Sequence, residues 1–191
     1  MKRKRSSGIL MHISSLPGKY GIGDFGKEAY SFIDFLVNAK QKYWQVLPLG
    51  ITGYGDSPYQ SFSSYAGNPY FIDLDEFIEI GYLTEDEIKS FDFGCDLTKV
   101  DYGLLYKNKF SLLEKVYEKA KESLNEDLYR FYMDNFEWLR DFALFMSIKE
   151  HHGNVSWLSW QEEYKRKDSK NVEKFEEDNK DKIYFWVFTQ Y

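Results

Sequence analysis

Gly8-Ile9-Leu10-Met11-His12-Ile13 is a short apolar run, entered from polar residues and left through Ser14-Ser15-Leu16-Pro17-Gly18. That is the pattern of a buried strand opening into a loop. Downstream, Ala29, Phe32, Ile33, Leu36 and Val37 recur at helical spacing, Asp24 or the glycines around it can cap the start, and Asn38-Ala39-Lys40 closes the segment. Tyr43 to Leu49 is again mostly apolar and is followed by Gly50. Strand, helix and strand in this order predict a βαβ unit, and a parallel sheet follows from it.

From Thr52 to Tyr70 the chain is dense in Gly, Ser, Tyr, Asn and Pro. A connection of that length is usually functional or disordered, and its tyrosines argue against disorder. Beyond it the pattern turns helical. Leu83 to Ser90 carries Thr84 with Glu87 three residues on, a capping box. Tyr102 to Glu122 holds a stripe of Leu105, Leu112, Val116 and Ala120, and Asn135 to Glu150 a stripe of Trp138, Phe142, Phe145 and Met146; both stripes read as helix core. Gln161 to Lys182 is dense in mixed charge, as expected of solvated helix surface. The apolar Ile183 to Phe188 then arrives without cap or charged tail before Tyr191, which reads as a polypeptide that continues.

At 191 residues the chain has room for one domain, or one and part of another. With 43% hydrophobic, 29% charged and 19% aromatic residues it is too apolar for a disordered chain and too charged for an integral membrane protein. The net charge of −6 lacks the basic excess that a phosphate backbone demands, so nucleic acid is not an expected partner. Met1-Lys2-Arg3-Lys4-Arg5 looks like the start of a signal peptide, but His12, Ser14, Ser15 and Pro17 break the apolar run that should follow. A cytoplasmic protein is expected, and the single Cys95, read as an incidental thiol, suits a reducing compartment.

Gly21-Ile22-Gly23-Asp24-Phe25-Gly26 matches G-x-G-x-x-G. A loop containing Pro17 separates it from the strand, and Tyr43-Trp44-Gln45-Val46 offers no acid for a ribose hydroxyl, so the dinucleotide reading fails. His12, at the exit of the first strand, suits site work or a hydrogen bond that ties the loop. His151-His152-Gly153 reads as a helix stop, not a metal site. The Thr52 to Tyr70 stretch pairs aromatic faces, platforms for the C–H faces of a sugar ring, with Ser, Gln, Asn and Asp for its hydroxyls. That composition suits carbohydrate, although aromatic loops also simply pack.

Three stretches carry a specific likeness: Arg5-Ser6-Ser7-Gly8-Ile9-Leu10; His12-Ile13-Ser14-Ser15-Leu16-Pro17-Gly18 with Tyr20-Gly21-Ile22-Gly23-Asp24; and Trp44-Gln45-Val46-Leu47-Pro48-Leu49-Gly50 with the Gly53 to Tyr70 loop. Together they resemble the amino-terminal region of the 4-alpha-glucanotransferases, the amylomaltase or disproportionating-enzyme family. Weaker similarity runs through Val100-Asp101-Tyr102, Trp138 to Phe145 and Trp157-Leu158-Ser159-Trp160. The resemblance implies an α/β fold, the first part of a (β/α)8 TIM barrel with a mostly helical inserted subdomain. It further implies a retaining double displacement on alpha-1,4-glucans such as maltodextrin and amylose, with no metal or organic cofactor. The family's aspartate nucleophile, glutamate acid/base and further aspartate lie in motifs that this chain does not contain, so no catalytic residue is expected here and the missing carboxy-terminal half is the expected partner. Carried over position by position, Ser57 and Tyr59 resemble members of the sugar site, with Tyr59 the ring platform. Tyr54 resembles an aromatic residue of a secondary glucan site, with Tyr102 its companion. Asp56 binds a hydroxyl or holds a turn, and the turn is favoured.

The expected organisation is residues 1–74 as the barrel start with its substrate loop, 75–170 as the helical insertion and 171–191 as a helix leading into the rest of the barrel. A rival reading is a stand-alone carbohydrate-binding or regulatory module. A catalytic pair of Asp24 and Asp56 within this chain is the weakest of the readings.

Overall fold

The computed structural model describes residues 5–53, 55–96 and 98–191. They form two compact units, one ending at Lys119 and the other beginning at Ala120.

The first unit opens with the βαβ arrangement. Strands β1 (Gly8–Leu10) and β2 (Tyr43–Gln45) pair in parallel, with Ile9 opposite Trp44, and helix α1 (Lys27–Asn38) lies between them in sequence. Glycine at position 8 is needed because a Cβ there would sit 2.6 Å from the Tyr43 carbonyl oxygen. Both strands are shorter than their apolar runs. The chain turns into a 3-10 segment at Ile13–Ser15 directly after β1, and Pro48, without an N–H, lies just past β2. The Trp44 indole N–H donates to the Met11 carbonyl at 2.7 Å, fastening the end of one strand to the other.

Helix α1 starts as the sequence allows: Gly26 holds the cap position and its N–H donates to Asp24 Oδ1 at 3.0 Å. Of the apolar stripe, Ala29 and Leu36 are buried, whereas Ile33 and Val37 are exposed, so the periodicity fixed the helix but not which of its apolar residues are covered. Helices α2 (Leu74–Glu79), α3 (Glu85–Lys89) and α4 (Tyr102–Ala120) follow. Thr84 and Glu87 form the reciprocal capping box of α3. Asp101 accepts from the Leu104 N–H at 3.0 Å and so starts α4, whose Leu105, Leu112, Val116 and Ala120 are wholly buried as the stripe requires.

The second unit holds α5 (Asn125–Asp134), α6 (Phe136–His151), α7 (Lys170–Asp178) and α8 (Lys180–Gln190). Helix α8 is apolar nearly all round and buries Ile183, Phe185, Trp186, Val187 and Phe188; Phe142 of α6 meets Trp186 edge to face at 6.0 Å. Arg140 of α6 grips Glu176 of α7 with two parallel bonds of 2.9 and 2.6 Å. His152 ends α6 with its Nδ1–H on the Ile148 carbonyl at 2.9 Å, and Gly153 takes the left-handed φ of 65°, which is the capping role read from the sequence. Among the described residues no helix is long and apolar enough to cross a membrane.

Candidate functional site

The chain leaves the carboxyl ends of β1 and β2 at residues 11–15 and 46–52, and the long loop folds over that end of the first unit. Its legs are joined by antiparallel bridges, Gly50 to Gly67 and Thr52 to Ser61, and by the Gly53 N–H on the Gln60 carbonyl at 3.1 Å. Inside it, the Ser61 hydroxyl donates to the Ser63 carbonyl at 2.7 Å, while Ser63 Oγ accepts from the Tyr65 and Ala66 N–H groups at 3.1 Å. These serines fix the loop's shape; composition alone assigned such residues to sugar hydroxyls.

Two hollows result. One is a cavity of about 140 Å³ lined by His12, Ser14, Asp56, Asn68, Tyr70 and Tyr102 among others. The other is an open cleft of about 610 Å³ between the Pro48–Gly50 segment and the loop, with Tyr59, Phe62 and Tyr65 on its walls. Tyr59 is 73% exposed and Tyr65 74%.

His12 makes the hydrogen bond that its position allowed, and it lines the small cavity. Its Nδ1 accepts from the Leu47 N–H at 3.3 Å, tying the two strand ends, and burial lowers its pKa. With Nδ1 accepting, the ring proton of the neutral imidazole is carried on Nε2. Asp56 sits at φ 53°, its N–H on the Gly53 carbonyl at 3.0 Å, and Thr52 Oγ1 donates to its Oδ1 at 3.4 Å. So it does hold the turn, yet it also lines the cavity, where burial raises its pKa. Tyr102, the first residue of α4, has its phenol pKa raised by burial and then by the Asp56 charge, and it hydrogen-bonds the Ser14 side chain. Its ring lies 6.0 Å from that of Tyr70.

Ser57 caps the turn beneath Tyr59, whose N–H meets its Oγ at 3.4 Å, and lines neither hollow. Tyr54 lies outside the described residues, and its expected pairing with Tyr102 lies outside them too; Tyr102 lines the small cavity with Asp56 and Ser14. Among the described residues no group of three or more His, Cys, Asp or Glu side chains is placed to hold a metal ion. Asp24 is buried and accepts from the Gly26 N–H, and among the described residues Asp56 is the one carboxylate lining the small cavity. The arrangement therefore offers hydroxyl donors and acceptors beside aromatic faces.

Sequence reading missed Lys109. This residue of α4 is 0% exposed and donates from Nζ to the Tyr70 carbonyl at 2.7 Å. Burial lowers its pKa to about 8, against the attraction of Asp24 and Asp73. The signal was present: position 109 falls in the gap of the stripe Leu105, Leu112, Val116, where an apolar residue belongs.

A family model described as 4-alpha-glucanotransferase matches residues 11–191. The 4-alpha-glucanotransferase of Clostridium butyricum is 48% identical over 95% of this chain and 37% of its own length. That of Thermus thermophilus is 43% identical over 100% of this chain and 38% of its own. Among solved structures, amylomaltase from Streptococcus agalactiae in complex with acarbose superposes with a TM-score of 0.92 at 42% identity, covering 98% of this chain and 38% of that one. The chain thus spans a little over a third of the length of these relatives.

Proposed function

The chain belongs to the 4-alpha-glucanotransferase family, and from that premise we propose that it is the glucan-positioning part of an enzyme that transfers alpha-1,4-glucan segments between maltodextrins. The observation that carries the reading is the self-braced loop that holds Tyr59 73% exposed on the wall of a 610 Å³ cleft. A tyrosine fixed in solvent by a loop whose own polar groups bond one another presents a ring face that a pyranose can cover. Next to it, His12 Nε2–H, Asp56 and Tyr102 supply the donors and acceptors for sugar hydroxyls.

In this reading β1, α1 and β2 begin a (β/α)8 barrel, and the cleft lies at the carboxyl ends of its strands, where such barrels carry their sites. The reaction is a retaining double displacement. One carboxylate attacks the anomeric carbon, a second carboxyl protonates the departing oxygen, and an acceptor sugar hydroxyl takes the place of water in the second step. Both carboxyls come from the part of the polypeptide outside this segment, and the enzyme works in the cytoplasm without metal or organic cofactor.

Incubating the full-length protein with maltotriose and separating the products tests the reading. Glucose together with maltodextrins longer than maltotriose is the expected pattern. Maltotriose recovered intact, or converted only to shorter sugars, contradicts transfer.

A further inference from the structure

We propose that Lys109 is a positioning residue of the glucan site, pinning the main chain at Tyr70 so that the floor of the cavity beneath the substrate loop keeps its shape. The inference rests on the glucan reading above and assigns a task within it.

Both main-chain groups of Tyr70 are held by buried side chains. Its N–H donates to Asn68 Oδ1 at 3.0 Å, and its carbonyl accepts from Lys109 Nζ at 2.7 Å. What this clamp fixes is the cavity. The Tyr70 ring lies 6.0 Å from Tyr102, and the next residue, Phe71, sets its ring edge-on to His12 at 5.5 Å. Tyr70, Phe71, Tyr102 and His12 all line the same hollow.

The identity of residue 109 needs explaining. A wholly buried ammonium carries a large desolvation cost, and its hydrogen bond goes to a main-chain carbonyl, with Asp24 and Asp73 contributing attraction at longer range. A methionine of similar length would complete the Leu105, Leu112, Val116 stripe without that cost. Stability of the helix face therefore does not account for a lysine, whereas reach across to the Tyr70 carbonyl does.

The test compares full-length wild type with Lys109→Met at a temperature where both are folded by circular dichroism. Two readouts are taken: kcat and KM for maltotriose per folded molecule, and hydrogen exchange of the segment 68–72. Loss of the pin is expected to lower kcat at least about tenfold, with a smaller change in KM, because small misplacements of a site's frame act on the geometry of attack. Exchange of the Tyr70, Phe71 and Ile72 amides is expected to quicken by about tenfold or more while α6 and α8 exchange as before. A variant with lower thermal stability but unchanged kcat, KM and exchange in 68–72 overturns the proposal and leaves Lys109 a structural residue. If the methionine variant does not fold, Lys109→Gln takes its place, since it keeps a polar group in the buried site but is uncharged and too short to reach the Tyr70 carbonyl; lowered kcat with quickened exchange in 68–72 supports the pin, and wild-type values for both overturn it. Should wild type itself fail to transfer glucan, the glucanotransferase reading falls, and the exchange readout still decides whether Lys109 holds Tyr70.

Discussion

Replacing Tyr59 by alanine in the full-length enzyme is expected to lower kcat/KM for maltotriose by on the order of a hundredfold, the scale on which a displaced reacting group loses rate. The Tyr59 ring stands 73% exposed on the cleft wall, and the backbone of that residue is tied into the loop through its N–H on Ser57 Oγ. Truncation therefore removes a sugar platform without unmaking a core, and the fold should be unaffected by circular dichroism. Tyr54→Ala provides the contrast. Assigned to a remote stretch of glucan, it should leave maltotriose turnover nearly intact and show itself with long amylose and in the size distribution of products. Near-normal maltotriose turnover by Tyr59→Ala means that the loop is packing and not a binding surface.

The second large effect is a complete one: the 191-residue chain alone is expected to produce no glucose and no longer maltodextrins from maltotriose, even after long incubation. A retaining mechanism needs two carboxyl groups about 5–5.5 Å apart across the scissile bond. Among the described residues the small cavity is lined by the single carboxylate of Asp56, which is engaged with Thr52 and with its own turn. Asp24, the other acid of the weakest reading, is buried against the Gly26 N–H. Transfer products from the homogeneous chain would place the chemistry inside this segment, and Asp56→Asn would then be the first variant to examine.

Much of this was legible in the residues because the signals are local. Two apolar runs flanking a helical stripe give a parallel pair, Thr84 and Glu87 announce α3, and His152-Gly153 announces the end of α6. What local pattern does not carry is which face a later part of the fold covers. Ile33 and Val37 share the spacing of Leu36, yet only Leu36 is buried. Helix α2, six residues long, is shorter than the window in which periodicity speaks, and α5 has a sparse stripe with Leu128 its buried member. The site divides in the same way. Aromatic residues in a glycine-rich loop point to a surface from sequence alone, and Tyr59 is where that pointed. Whether a serine faces outward or ties its own turn depends on loop geometry, so Ser61 and Ser63 could not be sorted beforehand. Lys109 was overlooked for the opposite reason, since a charge in a helix of mixed sequence passes for surface until the stripe is counted through it.

The most direct measurement is the crystal structure of the full-length protein with maltotriose bound. The account predicts a glucose ring lying against the face of Tyr59, with sugar hydroxyls reaching the cavity of His12, Asp56 and Tyr102 and the attacking carboxylate supplied from outside residues 1–191. Maltotriose seated elsewhere on the molecule, with Tyr59 left in solvent and that cavity empty of sugar, would contradict it.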